Sequence, residues 1–167
     1  IPNPYDPDNP TTFTDWRVHG SMTMREAIAF SSNVYFYIIG GGLPANAVPQ
    51  ANIGAARAGL GISKINEYVR LFGLGERTGI RLENEQKGTV PNPEWKLEIF
   101  KDDWRLGDTY NTSIGQFGFQ STPLQMLRAY AALANGGKLL TPQLEKDIEP
   151  EYIDLNIDQD ALKIIHE

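Results

Sequence analysis

The chain has 167 residues, 41% hydrophobic and 22% charged, a balance that can build a core and excludes wholesale disorder. Lys and Arg number 15 against 21 Asp and Glu, a formal charge of −6, which argues against a phosphate-backbone binder, so no nucleic-acid partner is expected. There is no cysteine, which excludes disulfides, thiol catalysis and Cys-ligated metals; with only His19 and His166 a His-built zinc site is disfavoured, and no metal or cofactor is expected.

Pro2, Pro4, Pro7 and Pro10, with Asn, Asp and Thr between them, make residues 1–15 an extended lead-in. Thr23 followed by Glu26 fits a capping box, so a helix is expected from Met24. Met24, Ile28, Ser31, Tyr35 and Ile38 fall on one helical face and would suit a single long helix. Ser31, Ser32 and Asn33, however, are poor helix-interior residues and good N-caps. Two helices are therefore expected, roughly 24–30 and 33–39, with a polar corner between them and Gly40 to Gly42 as the stop. The most apolar run, Val34 to Ile39, is far short of the ~20 residues of a spanning helix, and the opening residues are not expected to form a signal peptide. The chain opens on Ile1 rather than Met, which fits a piece of a longer polypeptide.

Residues 44–61, rich in Ala, Gly, Asn and Pro, read as a loop with a weak helical turn. Ser63 is expected to cap a helix through Phe72, with Ile65, Tyr68, Val69 and Phe72 inward and Gly73 as the stop. Gly79 to Leu82 reads as a short strand. Residues 84–111 read as mixed loop, anchored by Trp95 and Trp104. The clearest helix follows, with Thr122 as N-cap, Pro123 in the first turn and Gln125 completing a capping box. Its expected apolar face is Leu124, Leu127, Ala131 and Ala134, and Asn135-Gly136-Gly137 end it. Lys138 to Thr141 is a strand candidate, and Asp158 can cap a terminal helix.

The polar corner Ser31-Ser32-Asn33 carries the chemistry. A hydroxyl and a carboxamide two residues apart at a helix N-terminus suit a proton relay and recognition of a substrate amide, in a field that favours developing negative charge. On local sequence alone a plain helix N-cap is the simpler reading.

The surroundings change that balance. The run Ala27-Ile28-Ala29-Phe30-Ser31-Ser32-Asn33-Val34-Tyr35-Phe36-Tyr37 resembles the S-x-N region of the penicillin-binding proteins. Further blocks match in the same order: Phe13-Thr14-Asp15-Trp16 with His19-Gly20, and Leu71-Phe72-Gly73-Leu74-Gly75 with Thr78-Gly79. They continue with Pro93-Glu94-Trp95-Lys96, then Gly107-Asp108-Thr109-Tyr110-Asn111 into Ser113-Ile114-Gly115-Gln116. The last runs from Thr122-Pro123-Leu124-Gln125-Met126 through Ala129-Tyr130-Ala131-Ala132-Leu133-Ala134 to Asn135-Gly136-Gly137. Only about 44–58 stands outside the resemblance, as a local insertion. The chain looks closest to the class B, elongation-type peptidoglycan transpeptidases.

The resemblance implies the α/β (α+β) fold of the serine penicillin-recognising enzymes. Residues 1–167 would be the central part of a transpeptidase domain, mostly helical with short strands and long loops. It further implies a D,D-transpeptidase that attacks the D-Ala-D-Ala end of a peptidoglycan stem peptide through a serine acyl-enzyme and binds β-lactams covalently. Ser31 then matches the serine that relays a proton between the motif lysine and the leaving amine, a catalytic role. Asn33 matches the substrate-binding asparagine, and Ser32 is the variable middle position with no catalytic role. The family also implies a cell-membrane anchor, a domain on the outer, wall-facing side, and a membrane glycosyltransferase partner.

The departures are equally specific. Ser21, Ser31, Ser32, Ser63, Ser113 and Ser121 all lack a Lys three residues on, so no S-x-x-K is present. K-T-G is absent too: Arg77-Thr78-Gly79 matches a family loop instead, and Lys87-Gly88-Thr89 has the wrong order. The segment is therefore expected to be inactive alone. A non-catalytic binding or scaffold domain with the same fold, and a serine β-lactamase, are the competing readings. Phe117 stands where relatives carry the last glycine of Gly-Gln-Gly, and a Phe reaches positive φ only at a cost, so Gly118 is expected to take the turn. His19 reads as a structural hydrogen-bonding residue near Gly20, with Asp15 as its one nearby acid. Asp102, Asp103 and Glu98 read as a solvated loop face rather than a carboxylate pair. Trp16 joins Trp95 and Trp104 as an anchor.

Overall fold

The computed structural model describes residues 1, 3, 5–6, 8–43 and 58–166. Most of the expected loop at 44–61 thus lies outside the described residues. The chain divides into two compact units: Ile1–Ile65 with Pro91–Phe117, and Asn66–Val90 with Gly118–Glu167.

The first unit contains α1 (Met24–Phe30), α2 (Asn33–Gly41), α4 (Pro93–Phe100) and α5 (Leu106–Ser113); α3 (Gly61–Leu71) begins in it. Both halves of the Thr23–Glu26 capping box form, so α1 starts where its cap puts it. The expected break at Ser31 is present, with Ser31 in the left-handed region at φ 53°, ψ 51° and Ser32 as N-cap of α2. Gly40 and Gly41 lie within α2, and Gly42 caps it. Their value is close approach. A Cβ on Gly40 would meet Ser113 Oγ at 1.8 Å, and one on Gly41 would meet the Tyr110 ring at 2.3 Å. Side chains at these positions would hold α2 and α5 apart. The Tyr110 hydroxyl donates to the Gly42 carbonyl at 2.7 Å, and Phe13 meets Tyr37 and Tyr110 edge-on at 5.4 and 5.0 Å.

α4 and α5 correct the expectation of loop over 84–111. Asn92 accepts from the Trp95 N–H at 2.8 Å with Pro93 in the first turn, an N-terminal signal legible in the sequence. The apolar periodicity that normally marks a helix is missing because the inward residue of α4 is Lys96, only 4% exposed. Lys96 Nζ donates to Asp108 at 2.7 Å and to the Asp103 carbonyl at 2.6 Å, and pairs with Asp102 at 3.0 Å. Arg105 grips Asp102 with both terminal nitrogens, one at 2.6 Å. Asp102 is thus tied into an ion network and is not part of a solvated face; Asp103 and Glu98 are exposed. Burial works to lower the Lys96 pKa, but the hydrogen bonds to Asp108 and Asp102 outweigh it and raise the value.

Phe117 takes positive φ itself, at 59°, beside Gly118 at 75°, so the turn is shared rather than handed to the glycine. A left-handed residue with a side chain costs about 1–2 kcal/mol. The ring offsets this by packing against Trp104 at 5.7 Å, Trp95 at 5.8 Å and Phe100 at 6.1 Å, pairs worth about 0.5–1.5 kcal/mol each. Trp95 and Trp104 are the anchors expected of them, and Trp104 also donates to the Thr109 hydroxyl at 2.8 Å.

The second unit contains α6 (Pro123–Ala134), β1 (Lys138–Leu140), β2 (Tyr152–Asp154) and α7 (Gln159–His166). β1 and β2 pair antiparallel with Leu139 opposite Ile153. Ala132, Leu139 and Leu155 form the core, with Phe72 and Ile157 against it. The Thr122 cap, the stop after Ala134 and the Asp158 cap hold as expected, and β1 falls within the expected strand. The apolar face expected of α6 does not. Its buried residues are Gln125, Arg128 and Ala132, while Leu127 is 66% exposed. Loop and strand carbonyls packed on α6 need donors. Gln125 Nε2 donates to the carbonyls of Glu76 and Lys87 at 2.6 and 2.9 Å, and Arg128 Nε to that of Leu140 at 2.5 Å. No strand forms at Gly79 to Leu82: Gly79 has φ 85°, and Thr78 folds back, its N–H and hydroxyl donating to Glu85 at 2.7 and 2.5 Å. α3 starts two residues before Ser63, and Tyr68 is 51% exposed rather than inward.

Two outcomes follow from the first unit. Phe117→Ala keeps the left-handed strain but loses the ring, whereas Phe117→Gly loses the ring and releases the strain. In denaturant unfolding of the protein carrying this segment, Ala is therefore the more destabilising by about 1 kcal/mol; the reverse order contradicts the account. Asp102 is held well below the ordinary carboxylate range, first by Arg105 and then by Lys96. Its contribution to stability is complete above the unfolded value near 3.8 and is lost as pH falls below it. Thermal midpoints should thus fall more steeply on acidification in the parent than in Asp102→Asn, and parallel curves contradict this.

Candidate active-site corner

Where α1 meets α2, backbone hydrogen bonds close one helix and open the next. The N–H groups of Ser31 and Ser32 turn back to the Ile28 and Ala27 carbonyls at 3.2 and 3.0 Å, closing α1. Ser32 Oγ accepts from the Tyr35 N–H at 3.3 Å, opening α2. Between these closures Ser31 stands exposed in its left-handed conformation, and Asn33 is the half-buried first residue of α2.

The partner that sequence reasoning missed is Asp15. Its carboxylate accepts from the Ser32 hydroxyl at 2.5 Å and from the N–H groups of Asn33 at 3.1 Å and Val34 at 3.3 Å. The Trp16 N–H adds a fourth bond at 2.9 Å. Burial pushes the Asp15 pKa up, but these bonds to the charged form together outweigh it, and the value lies below that of an ordinary aspartate. The neighbouring Trp16 indole donates to the Phe30 carbonyl at 3.1 Å, and the Arg17 guanidinium lies over the Trp16 and Phe30 rings at 4.6 and 5.0 Å.

His19 Nε2 is 3.6 Å from Asp15 Oδ1, buried, and without a hydrogen-bond partner, while Nδ1 is 3.4 Å from Arg17 Nε. The ring packs against Phe30 and Trp16, with Gly20 turning at φ 72° beside it. A hollow of about 620 Å³ opens in this unit, lined by Asp15, His19, Ser32, Val34, Tyr35 and Ile38 among others. Ser31 and Asn33 are not among the residues lining it. They share a corner with the hollow's wall, yet the hollow itself is built by lead-in residues between Phe13 and Met22, by Ser32 and by later residues of α2.

The family profile described as "Penicillin binding protein transpeptidase domain" matches residues 2–167. The chain belongs to that family. It is similar to the peptidoglycan D,D-transpeptidase MrdA of Acinetobacter baumannii, 38% identical over 140 residues, which cover 83% of this chain and 18% of that protein. Among solved structures it is similar to the penicillin-binding protein PBP2 of Helicobacter pylori in complex with MreC. That likeness has 35% identity and a TM-score of 0.74, over 92% of this chain and 26% of that one. It is also similar to a chain in a structure described as structural coordination of polymerization and crosslinking by a peptidoglycan synthase complex. There the identity is 30% and the TM-score 0.67, over 91% of this chain and 24% of the other. The chain thus spans about a fifth of the length of the curated relative. The fold class and family expected from the motif blocks are those found.

Ser32, the middle residue of the Ser31-Ser32-Asn33 corner, has a structural duty: it is 2% exposed, caps α2 and bonds Asp15. Ser32→Ala should lower stability by about 1–2 kcal/mol, the usual cost of losing an N-cap. Chemical unfolding of the full protein checks this, and an unchanged midpoint contradicts it.

Proposed function

We propose that the parent protein is a class B, elongation-type D,D-transpeptidase that crosslinks peptidoglycan stem peptides. In this reading Ser31 relays the proton and Asn33 holds the substrate amide. The observation that carries it is the broken helix: within a penicillin-binding transpeptidase segment, an exposed serine sits two residues before the asparagine that opens the next helix. The N-terminus of α2 brings a positive field to the place where charge moves during acyl transfer.

The acyl-serine and the activating lysine belong to S-x-x-K, and the third wall to K-T-G; this segment contains neither. Its part is thus to bind, orient and pass a proton, while attack on the D-Ala-D-Ala carbonyl comes from elsewhere in the parent. Likeness to peptidoglycan transpeptidases of the MrdA kind supports this substrate class, and β-lactams as covalent inhibitors follow from it. We place the parent at the membrane with this domain facing the wall, beside a glycosyltransferase; the likeness to a complex of PBP2 with MreC and to a synthase complex coordinating polymerization and crosslinking supports such an assembly. No helix among the described residues is long and apolar enough to cross a membrane.

Labelled penicillin tests the reading on the full-length parent. Covalent labelling is expected, and Ser31→Ala should slow it by about 10²–10³ in rate constant, the usual loss for a proton-transfer or oxyanion group. Labelling that proceeds at the parent's rate in Ser31→Ala removes Ser31 from the mechanism. No labelling of the parent at all favours a scaffold, and turnover of a chromogenic β-lactam favours a β-lactamase.

A further inference from the structure

We propose that Asp15 is a positioning residue for this reaction: its carboxylate keeps the helix broken at Ser31 and so sets the placement of Ser31 and Asn33. The inference rests on the function proposed above for that corner.

The apolar positions Met24, Ile28, Tyr35 and Ile38 are spaced so that one continuous helix would keep them on a single face. In such a helix the N–H groups of Asn33 and Val34 would bond the carbonyls of Ala29 and Phe30, four residues back. In the structure both N–H groups are bonded instead to the Asp15 carboxylate. The Phe30 carbonyl is bonded instead to the Trp16 indole. Two consecutive side chains from the lead-in therefore supply substitute partners on both sides of the break. The Ser32 hydroxyl adds a bond to the same carboxylate.

Ser31 is left between two fixed points. Residue 30 is held by Trp16, and residues 32 to 34 are held by Asp15. Its left-handed backbone is a conformation that serine adopts only when its surroundings impose it. Without the carboxylate, two donors at the start of α2 lose their partner, and the local gain from reforming i to i−4 bonds pulls the corner toward helix. That movement displaces the serine and the asparagine together. A misplacement of about 1 Å in a catalytic group costs on the order of 10²-fold. Asp15 touches no reacting atom in this scheme and acts only through the backbone it holds.

Pre-steady-state acylation of the full-length protein by labelled penicillin tests this, with rate constant and labelled fraction read separately. A purely structural loss lowers the fraction of molecules that label. A positioning loss lowers the rate constant of those that do. Asp15→Ala should slow the rate constant about 10- to 100-fold. Asp15→Asn, whose amide oxygen still accepts from an N–H, should recover part of that loss. An unchanged rate constant with a smaller labelled fraction overturns the inference. Should Asp15→Ala fail to accumulate, Asp15→Asn decides: slower acylation supports the inference, and the parent's rate overturns it. Ser31→Ala run alongside separates the two layers. If it is slow while the Asp15 variants are not, only this inference falls. If it too acylates at the parent's rate, the proposed function falls and this inference with it.

Discussion

One carboxylate replaces two missing helix hydrogen bonds, and the local architecture of the first unit's polar corner follows from that. Asp15 accepts from the N–H groups of Asn33 and Val34, which a continuous helix would have satisfied internally, and from the Ser32 hydroxyl. A buried N–H without a partner costs about 1–3 kcal/mol, so a break of this kind persists only where a substitute acceptor is at hand. A charged acceptor at a helix N-terminus is the strongest such substitute, because the helix field and the N–H groups both favour the anion. The same bonds explain why Asp15 stays ionised despite its burial.

The corner is one of several places where unusual backbone is held by side-chain contacts. Ser31 and Phe117 both have positive φ without being glycine, and each is pinned differently. Hydrogen bonds on either side fix Ser31, whereas an aromatic cage fixes Phe117. Gly40 and Gly41 do the converse job: their missing side chains let α5 come against α2, which steadies the far end of the helix whose near end carries the motif. Buried charge contributes too. Lys96, Asp102, Arg105 and Asp108 join α4 to α5 through a network in which each ion has an opposite partner.

What was legible in the sequence was local. Thr23 with Glu26, Ser32 before Asn33, and Thr122 with Gln125 announced their helices because a cap and its target lie within three residues. The motif corner was legible for the same reason, and the ordered blocks around it gave the family. What hid was whatever depends on distant partners. α4 and α5 turn Lys96 and Asp108 toward each other, so no apolar stripe marked them, although Asn92-Pro93 did mark one start. α6 turns Gln125 and Arg128 inward because the loop carbonyls of Glu76 and Lys87 and the β1 carbonyl of Leu140 demand donors there. Gly79 to Leu82 looked like a strand by composition, but a positive φ and the Thr78–Glu85 bonds gave it another shape. Asp15 showed only as part of a block and as the one acid near His19. Its partners lie 17 to 19 residues away, beyond what spacing reveals.

The most direct measurement of the central interaction is an NMR pH titration of the Asn33 and Val34 amide protons in the full protein. Amide protons bonded to one carboxylate move together as it takes up a proton. Both resonances are expected to shift with one shared midpoint, below the ordinary aspartate value of 3.8. Resonances that ignore pH through that range, or that follow separate midpoints at or above it, would contradict the claim that Asp15 holds the start of this helix.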